Sequence, residues 1–187
     1  AADVLARLEA LGAGDDIVAC DAADATTLSS VIGAAREHGG IRGIVHAAGV
    51  LEDGMLSGLT REQLERVTRP KIDGAWNLHE ATQADELEFF VLFSSISGVM
   101  GSPGQGNYAA ANSFLDALAN YRQSKGLPGV SIAWGPWAQS GMAAELSGAD
   151  QARMQRQGLT PLQVDQGLEL LDAALHQSTS SLVAVNL

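Results

Sequence analysis

Apolar positions along the chain switch between a helical period and short continuous runs. Val4, Leu5, Leu8 and Leu11 follow helical spacing, and Gly12 and Gly14 stop the pattern. Residues 16–20 then read as a short buried strand that ends at Asp21. A helix is predicted over 26–38, with Leu28, Val31, Ile32 and Ala35 on one face and Gly39-Gly40 at its end. A second strand covers 42–47. Thr60 with Gln63 forms a capping-box signature. The helix it opens runs over about 61–81, and Pro70 predicts a kink or a break within it. Residues 87–93 (LEFFVLF) form a nearly continuous apolar strand, the pattern of a strand covered on both faces. A helix of small residues starts near Tyr108 and ends at Gly126 and Pro128, and a strand follows over 130–134. Thr160-Pro161 with Gln163 reads as another helix start, with Val164, Leu168, Leu171 and Leu175 as its stripe. The last strand is predicted over 181–187.

Strands alternating with helices imply βαβ crossovers, so the expected class is α/β with a mostly parallel, doubly wound sheet. In such sheets ligands bind beyond the carboxyl ends of the strands. The loops after Ala47, Phe93 and Trp134 all fall there. Residues 135–149 combine several glycines with short helical pattern, a lid-like composition, and a lid is expected over about 138–158.

Composition narrows the class. The chain has 187 residues, 46% hydrophobic and 18% charged, enough to bury a core in one ordinary domain. No apolar run approaches the roughly 20 residues that span a bilayer. The first twelve residues are a charged amphipathic pattern, unlike a secretion signal. A single cysteine, Cys20, excludes an internal disulfide and a cysteine metal cluster, and fits a reducing cytoplasm. A formal charge of −11, with Lys and Arg scattered, argues against nucleic acid as a partner.

Candidate chemistry concentrates in residues 93–114, FSSISGVMGSPGQGNYAAANSF. Ser94 and Ser95 point to opposite sides of a strand, so only one faces a cleft. Tyr108 and Asn112 are four apart and share a helix face. Tyrosine can act as a general acid toward a carbonyl, but its ordinary pKa is about 10 and a nearby ammonium would be needed to lower it. Asn112 cannot supply that charge. Alternatively, Tyr108 only caps the helix and Asn112 bonds to backbone. The run from Gly104 to Ala109 matches G-x-G-x-x-A formally, yet it follows the strand too late for a phosphate-binding turn, and no acidic residue follows at the required distance. It reads better as a loop that wraps a substrate. His46 ends an apolar strand and reads as a packed or backbone-bonded histidine. His38, His79 and His176 lie on separate helices at no metal spacing. Asp21 and Asp24 fit turn and cap roles. No G-x-S-x-G elbow is present, so hydrolysis has little support.

Five ordered motifs carry a resemblance over nearly the whole chain: HAAGVLEDG, RPKIDGAWNLHE, FVLFSS, GQGNYAAANSFLDALA and SIAWGPW. Together they closely resemble the ketoreductase domains of modular type I polyketide synthases, members of the short-chain dehydrogenase/reductase superfamily. The resemblance implies a Rossmann-like fold and reduction of a β-ketoacyl thioester by NADPH, with an acyl carrier protein presenting the substrate. Ser95 matches the serine that hydrogen-bonds the carbonyl, and Tyr108 matches the proton donor. Most of the superfamily has Y-x-x-x-K, but this subfamily has Asn at the lysine position, here Asn112. Its lysine comes from the R-P-K segment, here Lys71. Cofactor roles carry over to Asp21 on the adenine side, to Ala47, Ala48 and Gly49 along adenosine and ribose, and to Pro136 near the nicotinamide amide.

The same resemblance implies stereochemistry. Leu51-Glu52-Asp53 is similar to the L-D-D motif of B-type ketoreductases, with Glu in the middle place. Pro103 and Asn107 match further B-type positions, and the tryptophan that marks A-type domains would stand where Met100 does. The product implied is the D-(R)-β-hydroxyacyl chain. Ala110 in place of proline further suggests a B1-like domain, one that does not select an epimerised α-substituent. The family's first two strands and its glycine-rich pyrophosphate loop have no counterpart in these residues. Loss of those strands would leave a gap between 17–20 and 44–47 and expose strand edges. The expectation is that these residues alone neither fold stably nor bind NADPH well, and that the rest of the domain is their partner.

Overall fold

The computed structural model describes residues 7, 8, 10–12, 17–138 and 158–187. The described residues form a parallel sheet in the order β1-β2-β3-β4: Gly43–His46, Phe89–Ser95, Val130–Trp134 and Ser181–Ala184. Helix α1 (Ala25–Glu37) starts at Asp24, whose carboxylate accepts from the backbone N–H groups of Thr26 and Thr27. Helix α2 is Arg61–Thr82, α3 is Ile96–Met100, α4 is Gly106–Ser124 and α5 is Val164–Leu175. No helix among the described residues is long and apolar enough to cross a membrane.

The two-sided burial of β2 explains its nearly unbroken apolar run. Phe90 and Leu92 face one core, with Leu28 and Ile32 of α1, Leu78 of α2, and Leu115 and Leu118 of α4. Val91 faces the other, with Ile132 and Trp134 of β3, Leu162, and Ala174 of α5. Side-chain alternation along the strand sends successive residues to opposite faces. Each fully buried aliphatic side chain stabilises the fold by roughly 1.5–3 kcal/mol.

Four expectations need correction. Residues 17–20 form no strand: they have no ladder partner, and Ile17 and Val18 are more than half exposed. A strand exists only through a neighbour's hydrogen bonds. α2 runs unbroken through Pro70, so no break occurs there. The helix near the C-terminus does not start at Thr160-Pro161. Thr160 instead bridges Asn186, and α5 opens three residues later, where Gln166 accepts from the Gln163 N–H at 3.0 Å. The glycine-rich stretch after β2 is not all loop, because α3 lies within it. The lid expected over about 138–158 falls almost wholly outside the described residues. At the N-terminus, Arg7, Leu8 and Ala10 are helical, as the spacing predicts.

Candidate functional site

The carboxyl end of β2 delivers Ser94 and Ser95 to opposite sides. Ser94 is buried and its hydroxyl donates to the Asn112 carbonyl at 3.3 Å, which ties β2 to α4. Ser95, on the opposite side, is half-buried within hydrogen-bond reach of Tyr108 and becomes the N-cap of α3, its Oγ accepting from the Ser97 N–H at 3.2 Å. α4 begins at Gly106, so Tyr108 lies in its first turn. Gly101 and Gly104 both have positive φ, 73° and 78°, which only glycine adopts without strain. They shape the turn that swings the chain from α3 into α4.

Tyr108 and Asn112 share the buried face of α4. The Asn112 amide nitrogen donates to the Tyr108 carbonyl at 2.7 Å, and its Oδ1, also buried, has no partner. The reading in which Asn112 bonds backbone is therefore met through the nitrogen, while the oxygen is left open. Burial raises the Tyr108 phenol above its ordinary value of 10. Hydrogen bonds with Asn112 and Ser95 pull it back, and the Asp53 carboxylate adds to the rise. The phenol thus stands above its ordinary value, where the sequence argument wanted it lowered.

The ammonium that argument required is present. Lys71, from α2, is 2% exposed. Its Nζ donates to the Phe93 carbonyl at 2.9 Å and lies 5.5 Å from the centre of the Tyr108 ring. Desolvation lowers its pKa to about 8, opposed by the Asp116 carboxylate. Asp116 sits two turns after Tyr108 on α4 and accepts from the Ser131 hydroxyl at 2.6 Å. Lys71 passes so close to Gly49 that a Cβ there would stand 2.9 Å from its Cε. His46, also beside this lysine, is held neutral: burial first, then the charge of Lys71, lowers it to about 4. Ser95, Tyr108, Lys71 and Asn112 are therefore brought together by β2, α4 and α2.

The residues linked by resemblance to stereocontrol also meet. The Asn107 amide donates to the Glu52 carbonyl at 2.9 Å. Gln105 donates to the Asp53 carboxylate at 3.0 Å, and the Gly54 N–H to the Gly104 carbonyl at 2.8 Å. The Leu51-Glu52-Asp53 loop is thus laced to the turn before Tyr108. Arg66 of α2 pairs with Glu52 at 3.1 Å. Met100 and Pro103 are exposed on the same turn. Gln105, Ser97 and Asp116 join the site without having been singled out in the sequence, whereas Gly49 was expected along adenosine and ribose and is found packed against Lys71 as well. No local pattern marks Gln105, Ser97 or Asp116 in advance, because each reaches the site through a contact and not through a period.

The remaining positions fit a nucleotide in part. Ala47 and Ala48 are exposed at the end of β1, and with Gly49 they present backbone with minimal side chains, which lets a flat group lie close. Asp21 is exposed, accepts from the Ala23 N–H at 2.9 Å and pairs with Arg69 at 3.0 Å. Pro136 is buried, and its carbonyl already accepts from the Leu162 N–H at 2.8 Å.

Comparison with known proteins fits this geometry. A family model described as KR domain matches residues 1–139. Over 94% of its length the chain is 53% identical to the phenolphthiocerol synthesis polyketide synthase type I Pks15/1 of Mycobacterium marinum, of which it spans 8%. Over the same share it is 50% identical to a Mycobacterium tuberculosis protein named as a putative inactive phenolphthiocerol synthesis polyketide synthase type I Pks1, spanning 11% of it. A solved structure of A-type ketoreductases from a modular polyketide synthase matches with a TM-score of 0.92 at 39% identity, over 98% of this chain and 38% of that one.

Proposed function

Since the chain belongs to the ketoreductase (KR) domain family of polyketide synthases, we propose that it carries the carbonyl-reducing site of an NADPH-dependent ketoreductase. The substrate is a β-ketoacyl thioester presented by an acyl carrier protein. The observation that carries this reading is the meeting of Ser95, Tyr108, Lys71 and Asn112 at the carboxyl end of β2.

Each residue has a role that its surroundings support. Ser95 donates a hydrogen bond to the substrate carbonyl and holds it against Tyr108. NADPH, when bound along Asp21, Ala47, Ala48, Gly49 and Pro136, supplies the hydride. Tyr108 gives its phenolic proton to the carbonyl oxygen as negative charge develops there. A phenol raised by burial is fully protonated at neutral pH, and a developing alkoxide is more basic than the phenolate left behind. Lys71, as an ammonium beside the ring, stabilises that phenolate. Asn112 fixes the first turns of α4 through the Tyr108 carbonyl.

The proposed product is the D-(R)-β-hydroxyacyl thioester of a B-type domain. Support comes from Asp53, Pro103 and Asn107, with Met100 where A-type domains have tryptophan. The bonds from Asn107 and Gln105 onto the Glu52-Asp53 loop give those positions one shared wall against which a substrate is oriented.

A reductase-inactive scaffold of the same fold is the second reading, since one relative is named as putatively inactive. Retention of all four site residues weighs against it. Incubating the intact polypeptide that carries these residues with NADPH and a model β-ketoacyl thioester separates the two. Thioester-dependent loss of NADPH absorbance supports the reductase, and none at all supports the scaffold.

A further inference from the structure

Two hydrogen bonds at Ser95 go beyond the roles above. Its Oγ accepts from the Ser97 N–H at 3.2 Å and from the Ser97 hydroxyl at 3.0 Å. A serine hydroxyl has two acceptor lone pairs and one proton. With both lone pairs directed at Ser97, the remaining proton of Ser95 points away from Ser97, toward the Tyr108 phenol with which Ser95 shares a hydrogen bond.

We infer that Ser97 is a positioning residue that locks Ser95 as a hydrogen-bond donor toward the substrate carbonyl. The lock follows from burial. Ser97 is 5% exposed, and Ser95 is the side-chain partner of its hydroxyl. Were the pair reversed, with Ser95 donating to Ser97, the Ser97 proton would be buried without an acceptor, an arrangement that burial penalises. The backbone makes the lock possible. Ser95 is extended (φ −144°, ψ 147°) while Ser97 is already helical, so two side chains that would diverge within a regular helix converge here. An unrestrained hydroxyl rotates among acceptors, and this one is pre-oriented before substrate arrives.

This inference rests on the reductase reading, and its test separates the two. In the intact polypeptide, Ser97→Ala should lower kcat for a β-ketoacyl thioester by roughly three- to tenfold, about the worth of one hydrogen bond, with KM for NADPH unchanged. Ser97→Cys keeps the branching with a slightly larger atom and donates weakly, so its kcat should also fall. It decides the matter if Ser97→Ala does not fold. The decisive readout is the double-mutant cycle with Ser95→Ala: in that background Ser97→Ala should cost nothing further. Wild-type kcat in both single variants, or the same fold-loss with and without Ser95, overturns the inference and leaves the reductase reading standing. A wild-type polypeptide that reduces no β-ketoacyl thioester overturns both.

Discussion

Lys71 donates to the Phe93 carbonyl at 2.9 Å and is thereby held 5.5 Å from the centre of the Tyr108 ring. One end of this relationship is backbone of the central strand and the other is the proposed proton donor. The lysine is therefore fixed by the sheet itself, and a helix upstream in sequence supplies beside Tyr108 the charge that Asn112 cannot.

The pKa of about 8 gives this lysine two pH signatures of opposite sign. Reduction should decline as pH rises through about 8, because the ammonium is lost there. Stability should move the other way. Burial lowers the folded-state pKa from 10.5, so between about 8 and 10.5 the unfolded chain holds more protons and the folded state gains with rising pH. Below 8 both states are protonated and the penalty for burying the charge is complete. Activity and denaturation profiles of wild type and Lys71→Met check this: both features should vanish in the variant.

Gly49→Ala should separate rate from stability. The new Cβ would meet Lys71 Cε at 2.9 Å, and Cε lies near the far end of a flexible side chain that can shift. Unfolding free energy should change by less than about 1.5 kcal/mol. A displacement of the ammonium by even an ångström should lower kcat by roughly ten- to a hundredfold. Denaturant titration alongside steady-state kinetics measures both.

Arg122 is a stability residue away from the chemistry. It is fully buried, with Nε donating to the Pro128 carbonyl at 2.7 Å, Nη1 against His79 Nδ1 at 2.8 Å, and its guanidinium 3.8 Å above the Phe90 ring. Truncation by Arg122→Ala strands those acceptors and opens a void, and should cost about 2–5 kcal/mol. Arg122→Met fills the void and should cost less. Chemical denaturation of the two variants ranks them.

Stereochemistry offers a test independent of rate. Chiral analysis of the reduced thioester should return the D-hydroxyl product. Asp53→Ala or Asn107→Ala removes one anchor between the Glu52-Asp53 loop and the turn before Tyr108, and should erode that selectivity. An L-hydroxyl product from the wild type refutes the B-type assignment.

The parts of this molecule legible in its sequence are those written in local periodicity. Residues 130–134 read as a strand because a short apolar run bounded by Pro128 and Gly135 fits a strand covered on both faces, and the Thr60–Gln63 box fixed the start of α2 by local hydrogen bonding alone. Residues 17–20 carry the same apolar signal but find no neighbour, and pairing is a tertiary property that a run cannot encode. Thr160-Pro161 has correct helix-start chemistry, yet Thr160 is taken by Asn186, far along the chain. Within the site, Tyr108 and Asn112 were linked by spacing on one helix, whereas Lys71 came only from resemblance, since no local pattern joins it to them. Gly49 was expected along the cofactor, but its contact with Lys71, like the part played by Ser97, became visible only with distances, because close approach and hydroxyl direction leave no periodic trace.

The central claim is that Tyr108 protonates a carbonyl during NADPH-dependent reduction. The most direct measurement is thioester-dependent loss of NADPH absorbance by the intact polypeptide and by its Tyr108→Phe variant, with circular dichroism confirming that both are folded. Turnover by the wild type and a loss of at least about a hundredfold in the variant are expected. Full activity in Tyr108→Phe would contradict it.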